Sequence, residues 1–189
     1  SGPIDYRFLL TFGAGIGLFD RFDIAVGFPL AIAETAKFGE VSDSDMGMTD
    51  LRFLVRGRVF GPEVGGDGPG LALALHTTFP TGSDTPYMSD GAATIMPQVV
   101  LDYRSSEGFR AALNVGFRFR PERTVVDLTI ANELRFGLGA EVPVGFYGFA
   151  FTAEVDGAVS FGDSAYDEGG ISAREVPIEV LGGMRWRSG

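Results

Sequence analysis

Apolar and polar residues alternate along nearly the whole chain, with the period of two that a strand with unlike faces produces. Nine segments carry it. In the first, Ile4, Tyr6, Phe8, Leu10, Phe12, Ala14, Ile16 and Leu18 fall on one face and Asp5, Arg7, Thr11, Gly13, Gly15 and Gly17 on the other. The second sets Phe22, Ile24, Val26, Phe28, Leu30 and Ile32 against Asp23, Ala25, Gly27 and Ala31. The third sets Leu51, Phe53, Val55 and Val59 against Arg52, Arg56 and Arg58, and the fourth sets Leu71, Leu73, Leu75 and Phe79 against Ala72, Ala74, His76 and Thr78. In the fifth, Ile95, Val99, Leu101 and Tyr103 oppose Thr94, Gln98, Asp102 and Arg104. The sixth is the cleanest: Phe109, Ala111, Leu113, Val115, Phe117 and Phe119 against Arg110, Asn114, Arg118 and Arg120. The seventh runs long, with Val126, Leu128, Ile130, Leu134, Phe136, Leu138, Val142 and Val144 facing away from Asp127, Thr129, Glu133, Arg135 and Glu141. The eighth places Tyr147, Phe149, Phe151, Val155, Val159 and Phe161 opposite Thr152, Glu154, Asp156 and Ser160. The ninth places Val176, Ile178, Val180, Met184 and Trp186 opposite Glu175, Glu179, Arg185 and Arg187.

The contrast between faces decides which kind of β-protein this predicts. A soluble sandwich or barrel buries its bulky apolar face, which then varies in side-chain size to fill a core. Here that face is almost uninterrupted, while the other mixes charges of both signs with Gly, Ala and Thr. A lipid-facing exterior around a polar lumen has this dressing. The segments also exceed the roughly 9 to 11 residues of a tilted crossing. The expected fold class is therefore all-β: a transmembrane antiparallel up-and-down β-barrel with nine strands visible.

The links support an orientation. Those after odd segments are tight (19–21, 62–69, 105–108 and the region of Gly145), whereas 36–48, 81–91 and 162–173 are long and polar, with 121–124 the short exception. Short periplasmic turns and longer outer loops are the asymmetry of bacterial barrels. The first strand then descends from outside and the ninth ends at the periplasmic rim. Tyr103, Phe109, Tyr147 and Trp186 fall near the inner rim, and Tyr6, Phe8, Phe119 and Phe161 near the outer, where aromatic girdles belong.

Nine strands with the first entering from outside do not match the even number, with both termini periplasmic, of single-chain bacterial barrels. We expect residues 1–189 to be one domain, truncated at both ends, of a parent barrel with 10 or 12 strands. Ser1 is not an initiator methionine and no signal-peptide pattern opens the chain.

Composition narrows the function classes. No apolar run reaches the roughly 18 residues of a membrane helix, leaving a closed barrel as the way to cross lipid. The net charge of −10 opposes a nucleic-acid partner. With no cysteine there is no disulfide framework, thiolate metal site or thiol nucleophile.

Candidate chemistry is sparse. His76 would need a nucleophile and an orienting group beside it to serve a hydrolase, and its neighbours on that face are Ala72, Ala74 and Thr78. Two acidic loop groups, Asp43, Asp45 and Asp50 and then Asp163, Asp167 and Glu168, do not meet the calcium-loop pattern and read as solvated loops. Gly13, Gly15 and Gly17 lie within a strand with no helix after them, unlike a phosphate loop. We expect no catalytic residue, no cofactor and no metal. The predicted lumen lining is Arg52, Arg56, Arg58, His76, Gln98, Arg104, Arg110, Asn114, Arg118, Arg120, Glu133, Arg135, Glu154, Asp156, Glu175 and Glu179. Its arginines concentrate on the third, fifth and sixth strands, and its acids, with Glu141, on the seventh to ninth. Segregated walls would bias charged solutes in a pore or pair into a salt-bridge plug in a narrow barrel.

A resemblance covers nearly the whole chain. Asp20-Arg21-Phe22 precedes a strand carrying Pro29-Leu30; Thr49-Asp50-Leu51-Arg52, Phe79-Pro80-Thr81-Gly82 and Asn114-Val115-Gly116-Phe117-Arg118 follow. Asn132-Glu133-Leu134, Gly137-Leu138-Gly139-Ala140, Pro177-Ile178-Glu179 and Gly182-Gly183-Met184-Arg185-Trp186 complete the order. This order resembles the N-terminal barrel of OmpA-family envelope proteins of myxobacteria and their relatives. The resemblance implies a Gram-negative outer membrane, contact with its lipid and lipopolysaccharide, and a structural or anchoring role or a small passive, porin-like pore carrying small solutes. It also implies that peptidoglycan is gripped by a further domain outside this chain. The competing expectations are a soluble β-barrel holding an apolar ligand inside and, on His76 alone, an outer-membrane hydrolase.

Overall fold

In the computed structural model the chain is all β, and residues 4–38, 41–62, 66–82, 89, 91–125, 128–144, 148–161 and 176–186 are described. Their strands are β1 (Ile4–Leu18), β2 (Phe22–Phe38), β3 (Val41–Met48), β4 (Leu51–Phe60), β5 (Gly68–Phe79), β6 (Thr94–Arg104), β7 (Arg110–Arg118), β8 (Arg123–Val125), β9 (Leu128–Ile130), β10 (Glu133–Val144), β11 (Phe149–Ser160) and β12 (Ile178–Trp186). One ten-stranded sheet runs β1-β2-β4-β5-β6-β7-β10-β11-β12, each strand antiparallel to the next, with β3 pairing back onto β2. The nine strands of that path are the nine alternating segments. The sheet is not closed into a barrel, because β1 and β12 are its two ends and are not paired with each other. Nine alternating strands leave two edges that run in the same direction, the incomplete sheet expected of nine strands taken from a larger barrel.

The sheet is strongly curled. A cavity of ≈ 330 Å³ is lined jointly by Asp23 of β2 and Glu154 of β11. Six strand spacings of about 4.8 Å would separate those strands by roughly 29 Å in a flat sheet, so they share a cavity only if the sheet wraps around it. Curling selects which face is inside. Cross-strand register places Arg58, Ala72, Val100, Asn114, Gly137, Asp156 and Glu179 on one continuous row of the concave face. The apolar rows lie outside: Leu73, Leu75, Val99, Leu113, Val115 and Leu138 are 41–57 % exposed. Among the described residues the buried apolar side chains are Pro29, Ala31, Ala74, Met96, Ala131 and Ala150, too few and mostly too small to make a core.

Aromatic side chains gather toward the two ends of the convex face. At the end with long connections, the Phe117 ring lies 4.8 Å from Phe119 and 5.6 Å from Phe161, and Phe53 meets Phe79 edge-on at 5.5 Å. At the opposite end Tyr103, Phe149 and Trp186 are exposed, the last two as register partners. Phe136 and Phe22 each lie over a cross-strand glycine, Gly157 and Gly57, where a Cβ would run into the ring.

Four local expectations need correction. The polar stretch 36–48 is not an irregular loop but a ribbon, since β2 extends to Phe38 and β3 pairs with it from Met48 back to Val41; pairing satisfies backbone groups that a long loop would leave to water. The seventh segment does not run through from Val126: a separate β8–β9 hairpin precedes β10, which begins at Glu133. Here the chain is pinned, because the Arg120 amide donates to Asn132 Oδ1 at 3.1 Å and the Phe161 amide donates to the Asn132 carbonyl at 2.9 Å. The connection after β7 is thus long like its neighbours. Val59 is the extra residue of a β-bulge, with Arg58 opposite Ala72 and Phe60 opposite Leu71. Asp50, read as a solvated loop acid, is buried and its Oδ1 accepts from the Gly82 amide at 3.1 Å.

That last contact explains two of the short motifs. The Thr81 hydroxyl accepts from the Leu51 amide at 3.0 Å, and Thr49 bonds the Pro29 carbonyl through its amide at 3.0 Å. Thr49-Asp50-Leu51 and Thr81-Gly82 therefore interlock to hold the long connections against the sheet end.

The first hairpin carries strain that a substitution can relieve. Phe19 and Asp20 both have φ 54°, and the Arg21 amide donates to the Leu18 carbonyl at 3.1 Å, a type I′ turn built without its favoured Asn-Gly. Left-handed backbone costs a non-glycine residue about 1 to 2 kcal/mol. Phe19→Asn with Asp20→Gly is expected to stabilise the fold by about 1 kcal/mol, read as a raised urea midpoint in detergent. A lowered midpoint would mean that the exposed Phe19 ring contributes more by its contacts than its backbone costs.

Candidate functional site: the polar concave face

The polar residues of the nine strands converge on the concave face, and their partners divide it along its length. Toward the long-connection end they are packed and hydrogen-bonded. Thr78 and Thr94 share a hydroxyl–hydroxyl bond of 2.6 Å between neighbouring strands. Glu133 of β10 sits between two guanidinium groups, Arg118 at 3.6 Å and Arg120 in direct contact, and the Arg120 Nε donates to the Ala131 carbonyl at 2.8 Å. The Arg120 and Glu133 side chains are only 12 % and 16 % exposed.

In the middle, His76 Nε2 bonds Gln98 Oε1 at 3.0 Å, and Gln98 Nε2 donates to Asn114 Oδ1 at 3.0 Å. This diagonal ladder crosses β5, β6 and β7. It ends over Gly137, where a Cβ would stand 2.9 Å from the Asn114 amide and also meet the Asp156 carboxylate. Gly137 is thus the gap that lets side chains of both neighbouring strands lie over β10. The partner found for His76 is an amide, so the nucleophile and orienting acid of a hydrolase are not what surrounds it.

Toward the tight-turn end the face opens into the cavity, and the charges there are wetter. Arg56 makes two bonds to Asp23 Oδ2, at 2.9 and 2.7 Å, with side chains about half exposed. Arg104 lies 3.6 Å from Asp102, and Arg185 of β12 reaches Glu141 of β10 at 2.7 Å. Arg58 donates from Nη1 to the Pro62 carbonyl at 3.0 Å. Arg110 lines the cavity with its register partner Glu141.

The remaining expected lining residues fall on the same rows. Arg52 is level with Thr78, Arg135 with Gly116 and Ala158, and Asp156 with Glu179. Glu175 lies outside the described residues, as do Asp163, Asp167, Glu168 and the side chains of Asp43 and Asp45. The expected segregation into a basic and an acidic wall is softened from within. Asp23 and Asp102 pair with arginines inside the basic arc, and Arg135 and Arg185 stand in the acidic one. Asp102 and Arg104 are neighbours on one face of β6, whereas Asp23 and Arg56 form a cross-strand pair, favourable on one sheet face, that only the register discloses.

No family model matches this sequence and no curated protein matches it.

Proposed function

We propose that this chain is the lipid-embedded barrel of an outer-membrane envelope protein of a Gram-negative bacterium, in a structural or anchoring role rather than as a wide pore. One observation carries the reading: the curled sheet presents its bulky apolar side chains outward and exposed, and keeps arginines, acids and amides inside. In water such an exterior is an aggregation liability; against acyl chains it is the required surface. The open edges fit the same reading, because one further antiparallel strand, or three, would join β1 to β12 and give 10 or 12 strands. The packed Arg118–Glu133–Arg120 end favours a structural role over free passage. Membrane lipid and lipopolysaccharide are the partners of the convex face in this reading. Peptidoglycan anchoring, as in the OmpA family this sequence resembles, would fall to a domain outside these residues. A soluble barrel with an apolar ligand draws no support from a concave face this rich in charge.

The test is partition. Refolded chain is expected to float with phospholipid vesicles and to need detergent or lipid to stay dispersed. A monodisperse monomer in plain buffer that ignores vesicles would remove the membrane reading. Planar-bilayer recordings then separate the two roles: large, steady conductance steps would overturn the structural role and restore the pore.

A further inference from the structure

The cavity at the tight-turn end carries an arrangement that the envelope reading does not use. Of the charged side chains lining it, Asp23 pairs with Arg56, Asp102 with Arg104, and Glu141 with Arg185. Those pairs neutralise one another. Arg110 stands beside its register partner Glu141. Two further lining residues of opposite sign have no ion-pair partner among the described residues: Arg58 of β4, whose side chain donates to the Pro62 carbonyl, and Glu154 of β11. They stand on opposite arms of the curled sheet. On β5, β7 and β10 the surface between them is small, formed by Ala72, Ala112 and Gly139, while β6 contributes Val100 and Asp102; the cavity measures ≈ 330 Å³. Such a volume is at the small end of ligand sites.

We propose that this cavity is a binding site for a small zwitterion, its carboxylate taken by the Arg58 guanidinium and its ammonium group by the Glu154 carboxylate. Arg58 keeps most of its five N–H donors after the Pro62 bond, enough for a planar carboxylate. An anion alone would leave Glu154 unmatched, and a cation alone would leave Arg58 so. A zwitterion satisfies both without disturbing the three existing pairs. The inference concerns the concave face and does not depend on whether the convex face meets lipid.

Full-length chain refolded in detergent micelles, with far-UV circular dichroism confirming each variant's fold, is titrated with the ω-amino acids from glycine to 6-aminohexanoate by ligand-detected NMR. At least one of them is expected to bind saturably. The matching carboxylate and the matching alkylammonium, each offering half of that molecule, are expected to bind about tenfold more weakly or worse. Arg58→Gln and Glu154→Gln should each reproduce that loss. Ala112→Phe, which fills the cavity and changes no charge, should abolish binding. Absence of saturable binding across the series would overturn the proposal. So would halves that bind as well as the whole, or charge variants that leave affinity unchanged in a folded chain.

Discussion

If the convex face meets lipid as proposed, arginine placed at Val115 is expected to destabilise the sheet in lipid by about 2 to 4 kcal/mol, whereas arginine at the adjacent Asn114 costs about 1 kcal/mol. Val115 is 41 % exposed on the convex face, near the middle of β7, with Val99 and Phe136 as its register partners. A guanidinium there would sit among acyl chains. Asn114 faces inward one residue away, and its substitution forfeits the bond from Gln98 but leaves the longer side chain in the polar interior beside the Asp156 carboxylate near Gly137. Denaturant titration of both variants refolded into vesicles measures the difference. Equal costs, or the reverse order, would show that the convex face is not the one in lipid. The comparison is sharper than either value, since both variants add the same charge to the same strand.

The second large effect belongs to Glu133. Glu133→Gln is expected to cost about 3 kcal/mol, because it removes the carboxylate shared by two poorly exposed arginines and leaves their charges uncompensated at short range. Glu179→Gln, on the exposed edge strand β12 of the same polar face, serves as the control and should stay within about 0.5 kcal/mol. Urea midpoints in detergent read both. A Glu133 variant as stable as its control would mean that the packed end is wet and its ion pairs are worth no more than surface ones.

How much of this was legible beforehand follows from what a period of two can and cannot report. Alternation identifies a strand and its two faces from one segment alone, so the nine strands of the main path and the residues of their polar face could be read from the chain. It does not report register. Asp23 next to Arg56 and Glu133 between Arg118 and Arg120 arise from residues 33 and 13 to 15 positions apart, brought together by pairings that no local pattern encodes. The same blindness hid the β-bulge at Val59 and the ribbon formed by β3. It also joined the β8–β9 hairpin to the strand that follows, because Val126, Leu128 and Ile130 keep in phase with Leu134 although β9 and β10 belong to different sheets.

The sequence by itself determined that the chain would form an antiparallel meander with one apolar and one polar face. Each of those properties is a consequence of side-chain order along a single strand and of short connections between strands. The contrast between those faces also pointed to the polar one as the inner face, but only the tertiary structure, through the cavity shared from β2 to β11, shows that the sheet curls around it. Tertiary structure also decided the division of the polar face into a packed end and an open one. The open end carries the more charged side chains, but the register sets Ala72, Ala112 and Gly139 among them there and opposes Glu133 to two arginines at the other end. Small side chains on β5, β7 and β10 keep a cavity open among the charges of one end, and a carboxylate clamped between two guanidinium groups fills the other.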